Sequence, residues 1–140
     1  MLRAKAERNT RLAERQLADL RAAGADGYRI AIAELDCGRS RLGLDRAAAR
    51  AELLAARAAA PQDSVVWLLA TDILAWDHIG HGEIEPAGAL AGELAAAGAA
   101  EDYLRWLTSR IALLAGQPEV AEQLVAGMHA QVGVLSHLEQ

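Results

Sequence analysis

The stretch SVVWLLATDILAWDHI, positions 64 to 79, constrains the fold more than any other part of the chain. Its apolar side chains recur on nearly every side, so as a helix it has no face to give to water and must be enclosed by other helices. With Asp72 inside it, the run is too short and too interrupted to span a bilayer. Aromatic residues are few: three Trp, two Tyr and no Phe in 140 positions, of which 53% are hydrophobic. Aliphatic side chains and alanine must therefore fill the interior, and an alanine-rich interior requires helices to approach closely. An all-α bundle of about six helices around residues 64–79 is expected, folded as one domain over 1–140.

The remaining elements are also helical. Positions 2 to 23 are strong helix formers stopped by Gly24, giving a basic N-terminal helix that can serve as an arm or dimerisation element. YRIAIAELD alternates like a strand at Tyr28, Ile30 and Ile32, but Ala31, Ala33 and the Tyr28, Ile32, Leu35 spacing tip it to a short helix. CGRSRLGL then reads as a loop. Asp45 caps a helix running to Pro61, and Asp63 caps the central one. A glycine-interrupted helix is expected from Pro86 to Gly98, another from Ala100 to Ala115, and a last one from Pro118 to near Leu138. That last helix carries Ala121, Val125, Met128, Val132, Leu135 and Leu138 as a seam that wants a helical partner, with Gly127 and Gly133 permitting close approach.

Net charge is −5, but its distribution is uneven. Residues 1–60 hold twelve basic and eight acidic side chains, and residues 61–140 hold two basic and eleven acidic. The asymmetry marks an interaction surface, met either within the chain or by a second copy. Arg39, Arg41, Arg46 and Arg50 are candidates for holding an anion or an acidic partner, since Arg46 and Arg50 repel each other one turn apart. YRIAIAELDCGRSRLGLDRAAAR superficially suggests a helix-turn-helix, yet its connection is long and its second helix offers no Asn, Gln, Ser or Thr to read bases. With an acidic remainder, nucleic acid is not the expected partner. The single cysteine, Cys37, excludes an internal disulfide and suits a reducing compartment. Arg39 and Arg41 near it favour a thiolate, though no general base is adjacent. The charged N-terminal stretch lacks the apolar core of a secretory leader, so a cytoplasmic protein is expected.

AWDHIGHGEIEPAG, positions 75 to 88, concentrates the residues most capable of chemistry. In one account it is a helix ending, with His78 and His81 favoured by the helix C-terminal dipole, glycine making the turn and Glu85 capping a helix opened by Pro86. In the other, His78 and His81 bind a divalent metal with Asp77 or Glu83 as a third ligand, and a distant His129 completes the set. Histidine late in one helix with more on a later helix resembles the DinB-like metal-dependent four-helix family. The later helix here carries His129 and His137 eight apart, which departs from the paired spacing of that family. Neither Glu-x-x-His nor His-Glu-x-x-His occurs, and GHGEIE puts Glu85 where a dinucleotide fingerprint needs its third glycine.

Asp72 sits among Leu68, Leu69, Ile73 and Trp76, where a carboxylate must find a partner or stay protonated. Arg105 or Arg110 is the expected partner. Three function classes follow. The first is a helical protein acting by association, as a homodimer or as an accessory subunit of a larger enzyme, with no cofactor expected. The second is a small-molecule binder or cofactor-independent enzyme for proton transfer or cyclisation. Its cleft would be lined by Trp67, Trp76 and Trp106, with Asp72 and His78 or His129 as acid and base and Arg105 and Arg110 as ligand contacts. The third is the metal-dependent bundle.

Overall fold

The computed structural model describes residues 2–126 and 128, and among them it forms seven α-helices and no strand. They are α1 (Leu2–Ala22), α2 (Gly27–Arg41), α3 (Arg46–Ala59), α4 (Val65–Gly80), α5 (Ile84–Ala96), α6 (Glu101–Leu114) and α7 (Pro118–Ala126). The all-α class is as expected. None of the described helices is long and apolar enough to cross a membrane. The chain divides into two compact units, one ending at Ala70 and one beginning at Thr71. The boundary falls inside α4, the helix expected to be central, whose Val66, Trp67, Leu68, Ala70, Thr71, Leu74, Ala75 and His78 are all buried.

In the first unit α1 packs on α2 and α2 on α3. Fully buried Ala31, Ala33, Ala49 and Ala56 let these helices approach closely. Gly38 marks the tightest point. A Cβ there would lie 2.7 Å from Leu53 Cγ and 3.2 Å from the Ala49 carbonyl oxygen. This corrects the loop expected over CGRSRLGL: α2 continues through Cys37 and Gly38 to Arg41, because the glycine serves a helix crossing rather than a turn. Asp26, unnoticed in the sequence, starts α2 by accepting the Arg29 N–H at 3.0 Å. Asp45 caps α3 as expected, accepting from the Ala48 N–H at 3.1 Å.

Arg41, at the C-terminal end of α2, binds α1, α2 and α3 together. It donates to Glu14 of α1 and, at 3.0 Å, to Glu52 of α3. The Thr10 hydroxyl of α1 donates to the Ala6 carbonyl at 2.8 Å, with the Ser40 carbonyl of α2 at 3.3 Å as a second acceptor. Buried Glu34 lies 3.6 Å from Arg21, and burial pushes its carboxyl above the usual range more than Arg21 holds it down. The inner face of α1 is narrow: Thr10, Ala13 and Leu17, one and two turns apart, are its buried residues, and Ala13 and Leu17 pack with Ala33 and Cys37.

Ser64, not Asp63, caps α4, its Oγ accepting the Trp67 N–H at 3.3 Å. Asp63 instead occupies the left-handed region at φ 70°, where it turns the chain. In the second unit α5 packs on α6 and α6 on α7. Ala87, Leu90, Ala91 and Leu94 of α5 and Tyr103, Leu107, Ser109 and Ala112 of α6 form its interior. α5 begins two residues before Pro86. Gly98 and Gly116 end α5 and α6 at φ 86° and 74°, and the next residue's N–H returns to the Leu94 and Ala112 carbonyls respectively. Of the seam in the last helix, Ala121, Val125 and Met128 fall among the described residues. Gly127, Val132, Gly133, Leu135 and Leu138 lie outside them.

Two glycines should respond oppositely to alanine. Gly38→Ala forces Leu53 and the α3 backbone away and should lower unfolding free energy by about 1–2 kcal/mol, net of the better helix propensity of alanine. Gly92 of α5 faces open space, so Gly92→Ala should raise stability by about 0.5–1 kcal/mol. Urea unfolding followed by circular dichroism gives both signs.

Candidate functional site

The polar centre of the second unit is a hydrogen-bonded chain running from α6 to α4. Tyr103, only 2% exposed, donates its hydroxyl to the Asp72 carboxylate. The Trp76 indole N–H donates to the same phenol oxygen at 2.8 Å. Trp106, one turn after Tyr103, packs its ring 4.9 Å from that of Trp76 and 6.0 Å from that of Tyr103, both tilted. Tilted aromatic packing places a ring edge against a ring face, which the ring quadrupoles favour.

Burial dominates the electrostatics of this chain. It pushes the Asp72 carboxyl above the usual carboxylate range, while the hydrogen bonds from Tyr103 and Trp76 oppose the shift. The Tyr103 phenol is driven well above its ordinary value, first by burial and then by its bond to Asp72, which stabilises the protonated hydroxyl. The partner expected for Asp72 was an arginine, and this is corrected. Arg105 Nε lies 3.5 Å from Glu101, and its Nη1 donates to the Leu124 carbonyl at 3.5 Å, so it ties α6 to α7 instead. Arg110 turns to a different feature.

That feature is a groove between α6 and α7 of about 790 Å³, lined by Trp106, Arg110, Leu113, Glu122, Val125 and Met128 among others. Arg110 and Glu122 are its charged side chains, and apolar groups make most of its wall. Trp106 alone of the three tryptophans lines it; Asp72 and Trp76 do not. Trp67 belongs to the first unit, where the Arg57 guanidinium lies 5.1 Å from its ring centroid. His129, offered with Asp72 as a catalytic pair, and His137 lie outside the described residues.

At the end of α4, His78 is buried, its Nδ1 2.9 Å from Glu83 Oε1. Its carbonyl accepts the N–H of Glu83 at 2.9 Å and of His81 at 3.1 Å, and Gly82 makes the turn at φ 70°. His81 Nδ1 meets the Asp77 carbonyl oxygen at 2.8 Å and Asp77 Oδ1 at 3.6 Å. Each imidazole thus spends Nδ1 on a different neighbour, so His78, His81 and Asp77 are not assembled as one ligand set. Among the described residues, no group of three or more His, Cys, Asp or Glu could hold a metal ion. Glu85 does not cap α5. Glu83 occupies the cap position, but its side chain makes no capping bond.

The four arginines read as an anion site are also dispersed. Arg41 is consumed by Glu14 and Glu52, Arg46 is engaged within the structure, and Arg39 is exposed. Arg50 has a buried Nε with no hydrogen-bond partner among the described residues. Cys37 is fully buried, and burial pushes its thiol up, with Glu52 adding to the shift and Arg41 opposing it. The thiolate that Arg39 and Arg41 suggested is therefore disfavoured. Tyr103, Leu113 and Glu122 were missed. The Tyr103, Trp106, Arg110, Leu113 spacing on one face of α6 was a signal for the first two.

Asp72→Asn should keep the acceptor for Tyr103 and remove a buried charge. Because the folded-state pKa of Asp72 is raised, the folded chain holds a proton that the unfolded chain releases. Stability from this group is then present at low pH and lost as pH rises from about 4 through the raised value. The wild type should gain on Asp72→Asn as pH falls, and at pH 7 the variant should match or exceed it. Tyr103→Phe should cost about 1–3 kcal/mol, since it strips a donor from Asp72 and an acceptor from Trp76. Denaturant melts across pH measure all three. Comparison with protein-family models, characterised proteins and solved structures finds no match to this chain.

Proposed function

We propose that this chain works by association with a second copy of itself, through the face of α6 and α7. One observation carries the reading: Leu113 at 49% exposure and Val125 at 47% line the apolar groove between these two short helices, and Leu114 and Val120 on the same helices are exposed as well. An apolar patch with a concave centre and a polar rim is what an interaction surface presents. The groove receives an apolar helix side chain, and burial of the flanking aliphatics drives the contact.

Sedimentation equilibrium should find a species heavier than the 14.8 kDa monomer. Leu113→Glu and Val125→Glu together should return it to the monomer mass with unchanged helicity. A wild-type monomer up to millimolar concentration overturns the reading.

A second reading rests on Trp106 and Arg110 sharing the groove, whose volume lies within the range of about 300–1,000 Å³ seen for ligand sites. An amphipathic carboxylate or sulfonate would stack on the indole and pair with the guanidinium. Anilinonaphthalene sulfonate should then bind near 1:1 and quench tryptophan fluorescence. Arg110→Ala should weaken binding about tenfold or more, the loss of one charge-assisted pair.

A further inference from the structure

The outer face of α1 has no role in the first unit. Lys5, Arg8, Arg11 and Arg15 are all exposed, and none makes an ion pair among the described residues. By helix geometry they fall within about 120° of arc and about 15 Å of axis. Of the acids of α1, Glu7 pairs with Arg3 and Glu14 with Arg41 across to α2, while Asp19 stands at the C-terminal end of the stripe, one turn after Arg15. Like charges three and four positions apart repel on a helix, so the stripe weakens α1 unless an anion meets it. Leu12, 58% exposed, stands in the middle of the stripe between Arg8 and Arg15.

A helix face of cations around one leucine fits an apolar groove walled by an acidic helix, and α7 is such a helix. Glu122 lines the α6–α7 groove, and Glu119, also exposed, stands three residues before it on α7. α7 is nine residues long, about 13 Å, which matches the span from Arg8 to Arg15 of about 10 Å. Charge favours a copy of the chain over a polyanion, because residues 71–140 hold ten acidic side chains and two basic ones and would repel phosphates.

We infer that α1 of one copy lies in the α6–α7 groove of a second copy, with Leu12 on the apolar floor and Arg8, Arg11 and Arg15 against Glu119 and Glu122. The contact repeats reciprocally, giving two identical contacts per dimer. This rests on the association reading and names the partner element that fills the groove. Arg110 is the one cation in the groove, and it lies on α6, across from the acidic helix.

A charge-swap experiment tests it by sedimentation equilibrium, with circular dichroism checking helicity. One variant carries Arg8→Glu, Arg11→Glu and Arg15→Glu; the other carries Glu119→Lys and Glu122→Lys. Each alone should dissociate at least about tenfold more readily than wild type, and an equimolar mixture should regain the dimer, because both contacts then pair opposite charges. The wild-type dimer should weaken from about 50 mM to about 500 mM salt. Either variant dimerising as tightly as wild type, or a mixture that stays monomeric, overturns this interface and leaves the association reading standing. A wild-type dimer indifferent to salt overturns it even if a variant fails to fold. A wild-type monomer at every concentration removes both, and salt-sensitive binding of α1 to anionic vesicles in its place would assign the stripe to a phosphate surface.

Discussion

Helices made largely of alanine cohere only when their backbones come close, because a methyl group buries little area at ordinary helix spacing. Close approach is the constraint on which both units depend. In the first it is met by Ala31, Ala33, Ala49 and Ala56 and by the missing side chain of Gly38, into whose place Leu53 fits. In the second, Ala87, Ala91 and Ala112 do the same around Leu94 and Leu107. Dispersion between closely packed backbones then replaces the large aromatic side chains that the chain does not have.

Close packing leaves little room for water, so polar groups carried inward need protein partners, which among the described residues Arg50 Nε does without. The two units solve this differently. The first uses charge: one guanidinium, Arg41, satisfies carboxylates from the helices on either side of it, and Glu34 faces Arg21. The second uses a neutral relay, in which an indole N–H donates to a phenol oxygen whose own O–H donates to a single acid. The difference follows composition, since the basic residues that could neutralise a buried carboxylate are concentrated before residue 61.

Much of the fold was legible because helix signals are local. Gly24, Asp45, Gly98 and Pro118 mark boundaries through their own backbone chemistry, and the apolar enclosure of α4 follows from its pattern alone. What failed was information held by a distant partner. Gly38 reads as a loop until Leu53 is seen beside it. Asp72 called for a partner, but charge pointed to Arg105 when a phenol thirty-one residues away was the donor. The tryptophans were grouped by type, whereas Trp67 folds with the first unit. The histidines were grouped by spacing, and spacing does not reveal that Glu83 takes one ring and the Asp77 backbone the other.

The use of Glu83 at the end of α4 reaches further than that turn. A residue at the start of a helix ordinarily lends its side chain to the amides of the first turn, and Glu83 lends its own backward to His78. The opening turn of α5 is thus left to solvent for its hydrogen bonds, beginning with Ile84 and Glu85 ahead of Pro86. These amides should exchange readily with the medium, as should those opening α6, whose Ala100 has no side chain to cap with, and from them α5 would fray. The firmness of one helix end is set against the looseness of the next, and a single glutamate decides how the two are shared.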